Sequence, residues 1–489
     1  MWSPSSQPDA KQQHALRQAA TMVVRTLQEQ GFETYWAGGC VRDQRLGQEP
    51  CDYDIATAAT PDQVLQIFPR ANAVGKSFGV VIVARNNFLF EVATFRIDRG
   101  YSDGRHPDAV EFATAAEDAQ RRDFTINAMF YDPIRDQLHD FIGGEDDLAN
   151  GLIRCVGNPA QRFQEDHLRM LRAVRFAHRL GFQIDPATAN AIKTQAASLA
   201  HISPERIRDE LTRILIESQR AGQAVWTLEH LGLLPVFLPE VSALQHQPQP
   251  PEFHPEGDVL THTLMMLDDM QHRTPALVYA VLLHDIAKPA TATHDGQRIR
   301  FHGHAELGAR MAESILRRLR MSNALIEEVC IAVRGHMRFM EVQNMRKATL
   351  RRLVGGPYFP TEMELHRLDC RACHGMLDNY SFLKEKIRAF EQEPVLPDPW
   401  IRGEDIIALG IHPGPRIGKL LKKAYDQQLE GNIPNREALL QWLRQTTDHS
   451  PQTEDSPPKS PCLPAASGVA QRAKTGRVRR SSKSEDGPR

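Results

Sequence analysis

Two neighbouring stretches, Tyr35-Trp36-Ala37-Gly38-Gly39-Cys40-Val41-Arg42-Asp43 and Cys51-Asp52-Tyr53-Asp54-Ile55-Ala56-Thr57, constrain this chain more than any others. The first reads as a strand that ends in a Gly-Gly turn and opens a helix. Glycine lets the backbone approach a ligand closely. The free N–H groups and positive dipole end of the helix suit a phosphate. On the second, extended stretch, alternate side chains share a face, so Asp52 and Asp54 point the same way. Two such carboxylates repel unless a cation lies between them, and hard oxygen donors favour Mg²⁺. A phosphate-cradling turn beside paired carboxylates is the apparatus of metal-assisted phosphoryl transfer. Taken singly, a Gly-Gly is usually just a turn and an Asp-x-Asp a solvated strand end, so the order and closeness of the two carry the reading.

At 489 residues the chain is long enough for several domains. Its formal net charge of -2 means that any nucleic-acid contact must come from local basic patches, not a global field. No apolar run reaches spanning length, and Met1-Trp2-Ser3-Pro4 lacks a signal-peptide pattern, so a cytoplasmic protein is expected. The seven scattered cysteines suit reduced thiols.

Helical periodicity runs over 12–30, and Thr60-Pro61 reads as a cap and first turn. Val80 to Val83 and Phe88 to Arg96 read as a hairpin turning at Asn86-Asn87. Glu91, a charge inside an apolar strand, is either a third metal-site carboxylate or the partner of a nearby arginine. Arg99 to Asp108 is a loop by composition, with basic and aromatic side chains and Gly hinges. Arg121-Arg122-Asp123-Phe124-Thr125-Ile126-Asn127-Ala128 offers two guanidiniums that match a triphosphate, with a solvated helix start as the equal alternative. Glu165 to Arg175 reads as one helix with Asp166, Arg169 and Arg172 on a shared face, extended by Arg175, and with two arginines that no acid on the stripe matches. Ser203-Pro204 starts a further helix, helices continue to about Leu234, and a Pro-rich link spans Gln245 to Pro255.

The next segment is helical and rich in histidine. His262, His284-Asp285 and the distant Asp369 form a plausible divalent-metal set on predicted helices, with His304 and His336 as further candidates. An ion there would activate water for phosphate-ester hydrolysis. Cys370-Arg371-Ala372-Cys373-His374 matches a c-type haem pattern but lies within a predicted helix of a chain with no export signal, and is rejected. Gly75-Lys76-Ser77 resembles the end of a P-loop, but Arg70 holds the required glycine position. After Asp448 the chain turns Ser/Pro-rich and then basic, which predicts a disordered tail able to bind RNA weakly.

Together, Gly38-Gly39-x-Val41-Arg42-Asp43, Asp52-x-Asp54, the Arg121–Ala128 run and Glu165-Asp166-x-x-Arg169-Met170-Leu171-Arg172 resemble the bacterial-type (class II) tRNA nucleotidyltransferase and poly(A) polymerase family over residues from about 20 to 235. Residues 255 to 375 look like an HD-type metal-dependent phosphohydrolase domain. The resemblance implies an α+β architecture: a polymerase-β-like head (1–155), a helical neck and body (156–240), the HD-type domain (255–395), a small helical tail domain (400–447) and the disordered basic tail (448–489). It implies that Asp52 and Asp54 hold Mg²⁺. Gly38, Gly39, Arg42, Arg122 and Asp123 fall at the triphosphate and ribose end, while Asp166 and Arg169 meet the base edge with Arg172 and Arg175 in support. His262, His284, Asp285 and Asp369 match the metal-ligand pattern of the HD unit, for an unidentified divalent ion. The implied activity is template-independent CCA addition to the 3′ end of tRNA from CTP and ATP, by in-line attack of the RNA 3′-hydroxyl with release of pyrophosphate. A-only addition, poly(A) addition, or an HD phosphohydrolase with a degenerate head are the alternatives. Neither a membrane nor a protein partner is implied.

Overall fold

The computed structural model describes residues 10–73, 79–99, 109–250, 257–294, 296, 299–390 and 394–448. The loop expected beyond Arg99, the Gly75-Lys76-Ser77 run and the tail expected after Asp448 lie outside the described residues. The chain divides into two compact units, Met1–Pro397 and Asp398–Arg489. No helix among the described residues is long and apolar enough to cross a membrane.

The first unit begins with α1 (Ala10–Glu29), which buries Leu16, Ala19, Ala20, Val23, Val24 and Leu27 at helical spacing. β1 (Thr34–Ala37), α2 (Gly39–Arg45), β2 (Asp54–Thr57) and α3 (Pro61–Ile67) follow, then the hairpin β3 (Val80–Arg85) and β4 (Phe88–Thr94). Thr60 caps α3 in a reciprocal pair with Gln63. Asn86 and Asn87 make the hairpin turn with φ of 49° and 66°, the left-handed pair whose twist matches that of the strands. β5 (Arg96–Arg99) pairs with β6 (Ala109–Phe112), α4 (Ala115–Arg121) follows, and β7 (Phe130–Asp132) and β8 (Gln137–His139) complete the main sheet. That sheet has six strands in the order β3-β4-β2-β1-β7-β8, with β2 and β4 parallel and the other neighbours antiparallel. Trp36, Ile55, Val81, Val83, Phe90 and Val92 join the α1 stripe in one core. In register, Ala37 lies opposite Asp54. The end of β1, where the Gly-Gly turn starts, therefore meets the start of β2, where the carboxylates lie.

The helical body comprises α5 (Gly144–Ala149), α6 (Pro159–Glu165), α7 (Arg169–Leu180), α8 (Pro186–Gln195), α9 (Pro204–Glu217), α10 (Ala221–His230), α11 (Leu234–Phe237) and α12 (Pro239–Ser242), with a short parallel pair of β9 (Leu152–Ile153) and β10 (Gln183–Ile184). Two local expectations are corrected here. Arg121-Arg122 closes α4 instead of opening a helix. The single helix expected from Glu165 is broken: α6 ends at Glu165, Asp166 is extended at φ -149°, and α7 starts at Arg169. The break is chemical. The Asp166 carboxylate accepts the Leu168 N–H at 3.0 Å, and its backbone carbonyl accepts the Arg169 N–H at 3.1 Å. An aspartate that bonds its own backbone in this way competes with a continuous helix and favours a new start.

The histidine-rich segment forms α13 (Val259–Asp269), α14 (Pro275–Leu283), α15 (Lys288–Thr291), the hairpin β11 (Ala292–His294) with β12 (Ile299–Phe301), α16 (His304–Arg318), α17 (Asn323–Gly335), α18 (Lys347–Val354), α19 (Phe359–Ala372) and α20 (Asp378–Phe390). Every residue of α14 after Pro275 is buried, as befits a helix apolar all round. This segment is not a tethered module. Gly222 of α10 sits so close to the Leu264 carbonyl of α13 that a Cβ there would collide with it. The Gly222 N–H donates to Asp268 Oδ1 at 2.8 Å, and Thr212 of α9 hydrogen-bonds the Tyr279 hydroxyl at 2.9 Å. The described start of the Pro-rich link is pinned too, through His246 N–H to Asp258 Oδ2 at 2.8 Å.

The second unit is α21 (Gly403–Ala408), α22 (Pro415–Glu430) and α23 (Arg436–Asp448), closed around Ile401, Ile406, Leu420, Ala424, Leu439 and Leu443.

Candidate active site

Gly38 is the hinge of the head site. It caps α2 with φ 73° and ψ -126°, a conformation that side-chain-bearing residues rarely adopt, and a Cβ there would lie 3.2 Å from Arg122 Nη1 and 4.0 Å from Asp54 Oδ2. Turn, guanidinium and carboxylate thus converge on one point. Asp52 and Asp54 are both exposed on that side. Because β4 runs parallel to β2 with Val92 opposite Ile55, Glu91 falls beside Asp54 on the next strand. Desolvation on the packed side of Asp54 pushes its carboxyl up to about 6, the charges of Asp52 and Glu91 add to the shift, and Arg122 opposes it. A carboxylate raised by two other carboxylates is a group that a cation would relieve.

Arg42 is buried, and burial lowers its guanidinium from the ordinary value. It is held beside the Gly-Gly turn by Asp43 Oδ1 at 2.6 Å and Asn127 Oδ1 at 2.6 Å. Arg122 pairs with Asp118 at 3.0 Å and lies over the Phe130 ring at 4.8 Å.

The arginines of α7 all have acidic partners, although no acid on the stripe itself matches Arg172 or Arg175. Arg169 pairs with Glu165 at 2.7 Å, Arg172 with Asp123 at 2.6 Å, and Arg175 with Glu210 at 2.5 Å. Only the first acid is on the adjoining helix; the other two come from the head and from α9, which stripe counting cannot see. Arg42, Arg172 and Arg175 gather around the Phe176 ring at 5.1, 5.3 and 4.3 Å. Burial works to raise the Asp123 carboxyl, but Arg172, Arg169 and Asn127 together outweigh it and hold it at about 2. Arg175 is buried at 4% exposure and props α7 from within. Asp166 pairs with Arg206 of α9 at 2.7 Å. These contacts fix Asp166 and Arg169 at the start of α7, with Arg172 one turn further on.

In the histidine-rich segment the four named residues meet. His262 Nε2 is 3.2 Å from Asp369 Oδ1, and His284 Nε2 is 3.0 Å from Asp285 Oδ2. His284 and Asp285 follow the last turn of α14 and are not part of it. His284, His304 and His336 share one arrangement: Nδ1 donates to the backbone carbonyl three residues earlier, Val281, Phe301 and Val333, at 2.8, 2.7 and 2.6 Å. A carbonyl only accepts, so Nδ1 carries a proton in each ring and Nε2 is turned inward. The Nε2 atoms of His304 and His336 face each other at 3.1 Å. Burial lowers His304 and brings His336 down to about 4, so both imidazoles stay neutral. Asp285 is held well below the carboxylate range, since His284 and Lys288 outweigh its burial. Among the described residues, three groups of donors, each within 4.8 Å, could hold a metal ion: His262-His284-Asp285, His262-Asp369-Cys373 and Asp285-His304-His336.

Sequence reasoning gave no role to Asp43, Phe176, Glu210, Arg206, Lys288 or Cys373. Asp43 closes the Gly-Gly stretch, and Lys288 lies three residues beyond Asp285. Cys373 was set aside with the haem pattern. Glu210 and Arg206 carry no local signal, because their partners are some 35 and 40 residues away in sequence.

Residues 34–154 match the poly A polymerase head domain, 181–244 the probable RNA and SrmB-binding site of polymerase A, and 258–369 the HD domain. The chain is similar to the CCA-adding enzyme of Enterococcus faecalis, 34% identical over 425 residues that span 86% of this chain and 94% of that one. A shorter match to the Geobacillus CCA-adding enzyme, 46% identical over 223 residues, spans 45% of this chain and 54% of the relative. The crystal structure of the Bacillus stearothermophilus CCA-adding enzyme in complex with CTP superposes with a TM-score of 0.70 at 26% identity, covering 88% of this chain and 97% of that one. With a match of 34% identity that spans 86% of this chain and 94% of the relative, the chain belongs to the CCA-adding enzyme family.

Proposed function

We propose that this chain adds C, C and A to the 3′ end of tRNA from CTP and ATP, releasing pyrophosphate. The observation that carries the reading is the convergence of the Gly38 turn, Arg122 and Asp54 at one end of the sheet. Asp52 and Asp54 would hold a divalent cation, Mg²⁺ by the hardness of the oxygen donors, with Glu91 close enough to add charge. When bound, that ion supplies neutralisation of the α-phosphate and lowers the pKa of the attacking hydroxyl. The other work falls to the chain itself. The turn at Gly38-Gly39 brings backbone against the triphosphate. Arg42 and Arg122, each fixed by its own acid, meet phosphate oxygens without reorganising. Asp166 accepts from the exocyclic amine common to cytosine and adenine, and Arg169 donates to the adjacent ring nitrogen. Their support by Arg206 and Glu165 keeps both in place as the incoming base changes.

The HD centre is read as a second, hydrolytic site. Its inward ring nitrogens and carboxylates suit a divalent ion held by His262, His284, Asp285 and Asp369, with His304 and His336 beside them.

Incubation with tRNA ending before CC, tRNA ending in CC and an unstructured RNA, each nucleotide supplied singly, tests the head. CTP uptake by the first and ATP uptake by the second is expected. ATP uptake by all three would make the chain a poly(A) polymerase.

A further inference from the structure

Gln249 lies in the Pro-rich link, between Pro248 and Pro250, yet it is buried at 4% exposure. Proline on both sides restricts the backbone to extended conformations. The approach to it is tied down. The Val259 N–H donates to the Gln247 carbonyl at 3.2 Å, and the Leu260 N–H donates to the Leu244 carbonyl at 3.3 Å. The Gln249 side chain thereby reaches the HD centre. Its Oε1 accepts from Lys288 Nζ at 2.6 Å. The same Nζ is 2.7 Å from Asp285 Oδ2, and that oxygen is 3.0 Å from His284 Nε2.

An ammonium only donates, so the amide must turn its oxygen to Lys288 and its NH₂ away from it. Gln249 Nε2 is buried there with no hydrogen-bond partner among the described residues. The amide is rigid, with nitrogen and oxygen about 2.3 Å apart, so Nε2 stays within roughly 8 Å of Asp285 Oδ2. A buried donor left without an acceptor is costly, and native proteins keep few of them outside binding sites. The acceptor that fits this corner is an anionic oxygen, because the buried Lys288 ammonium next to the amide favours negative charge.

We propose that Gln249 is a substrate-binding residue of the HD centre, whose amide NH₂ donates to an oxygen of a phosphate ester. The inference rests on the reading of the HD segment as a hydrolytic metal site. The Pro-rich link is then a wall of that site as well as a connection. The amide gains and loses no proton; it holds the phosphate group in place.

The test uses the full chain carrying Asp54→Asn, which removes a cation ligand from the head, with Mn²⁺ and inorganic phosphate as probes. Electron paramagnetic resonance reads Mn²⁺ binding. The Mn²⁺-induced relaxation of the phosphorus signal reads phosphate binding. Both are expected, and both should be lost on adding His284→Ala. Gln249→Leu removes the donors without adding charge, and Gln249→Glu keeps an oxygen for Lys288. Each should bind phosphate at least about tenfold more weakly, with Mn²⁺ affinity unchanged in Gln249→Leu. Unchanged phosphate affinity in Gln249→Leu, or a fall in its Mn²⁺ affinity as well, would overturn the contact. Gln249 would then only prop Lys288, and the HD metal site would stand. Mn²⁺ uptake without phosphate binding would have the same meaning. Failure to bind Mn²⁺ through His284 would overturn both.

Discussion

Asp123 and Arg172 lie 49 residues apart in the chain and 2.6 Å apart in space, a bridge from the head to the helix proposed to read the base. Asp123 also accepts from Asn127, which in turn accepts from Arg42, so one chain of bonds runs from α7 to the Gly-Gly turn. Removing either end leaves the other charge stranded. Asp123→Ala and Arg172→Ala should each cost on the order of 2 kcal/mol in urea unfolding, a figure kept low because Arg172 is a third exposed. The double variant should cost about as much as one single; additive losses would show that the pair is not coupled. Because the Asp123 carboxyl is depressed, its stabilisation is present above about pH 4 and lost as pH falls toward 2. The stability gap between wild type and Asp123→Asn should narrow over that window.

Asp54 behaves in the opposite sense. Its folded carboxyl is raised to about 6, so the folded state binds a proton more readily than the unfolded chain between about pH 4 and pH 6. Stability from this group falls as pH rises through that window and stays low above it. With a chelator present, Asp54→Asn should therefore melt higher than wild type at pH 7 and equal to it near pH 4. A variant that melts lower at pH 7 would mean that the carboxylate makes a stabilising contact and does not await a cation.

Base choice is expected to depend on Asp166 and on the residue that steadies it. UTP would set a carbonyl against the Asp166 carboxylate, and two unpaired acceptors in a desolvated site cost about 1–3 kcal/mol. Asp166→Ala should lower kcat/KM for CTP and ATP and relax the rejection of UTP. Arg206→Ala, which frees Asp166 without deleting it, should do the same more weakly. Unchanged ratios among the four nucleotides in both variants would remove this carboxylate from base reading.

The two candidate centres should separate by mutation even though the body and the HD segment share one packed seam. His284→Ala is expected to abolish metal-dependent phosphoester hydrolysis and leave CTP incorporation intact. Gly222→Ala, which drives a methyl into the Leu264 carbonyl, should lower the melting temperature by the equivalent of about 1–3 kcal/mol and depress both activities. Loss of incorporation in His284→Ala would make the HD segment a structural support for the head.

Features set by local chemistry were legible in the sequence. The Asn86-Asn87 turn, the Thr60 cap, the Gly38 turn and the Asp54 strand are each fixed by residues within a few positions of one another. Ser203 takes its capping position, although its side chain makes no cap bond. What could not be read was pairing across long separations. Arg172 and Arg175 look unmatched on their own helix, because Asp123 and Glu210 arrive from other elements. Asp166 sits on a helical stripe by periodicity, yet its own carboxylate breaks the helix, and a count of spacing carries no such local competition. The Pro-rich link suggested separate modules, whereas the small size of Gly222 lets α10 and α13 pack directly.

The most direct measurement is 3′-end sequencing of a tRNA transcript lacking its terminal CCA, after incubation with CTP, ATP and Mg²⁺, for the wild type and for Asp54→Asn with its fold checked by circular dichroism. The account predicts that the wild type adds C, C and A and then stops. It predicts that the variant adds nothing measurable, having lost several kcal/mol of transition-state stabilisation with its metal ligand. Ends carrying only A or an open-ended A tract from the wild type, or near-normal addition by Asp54→Asn, would contradict it.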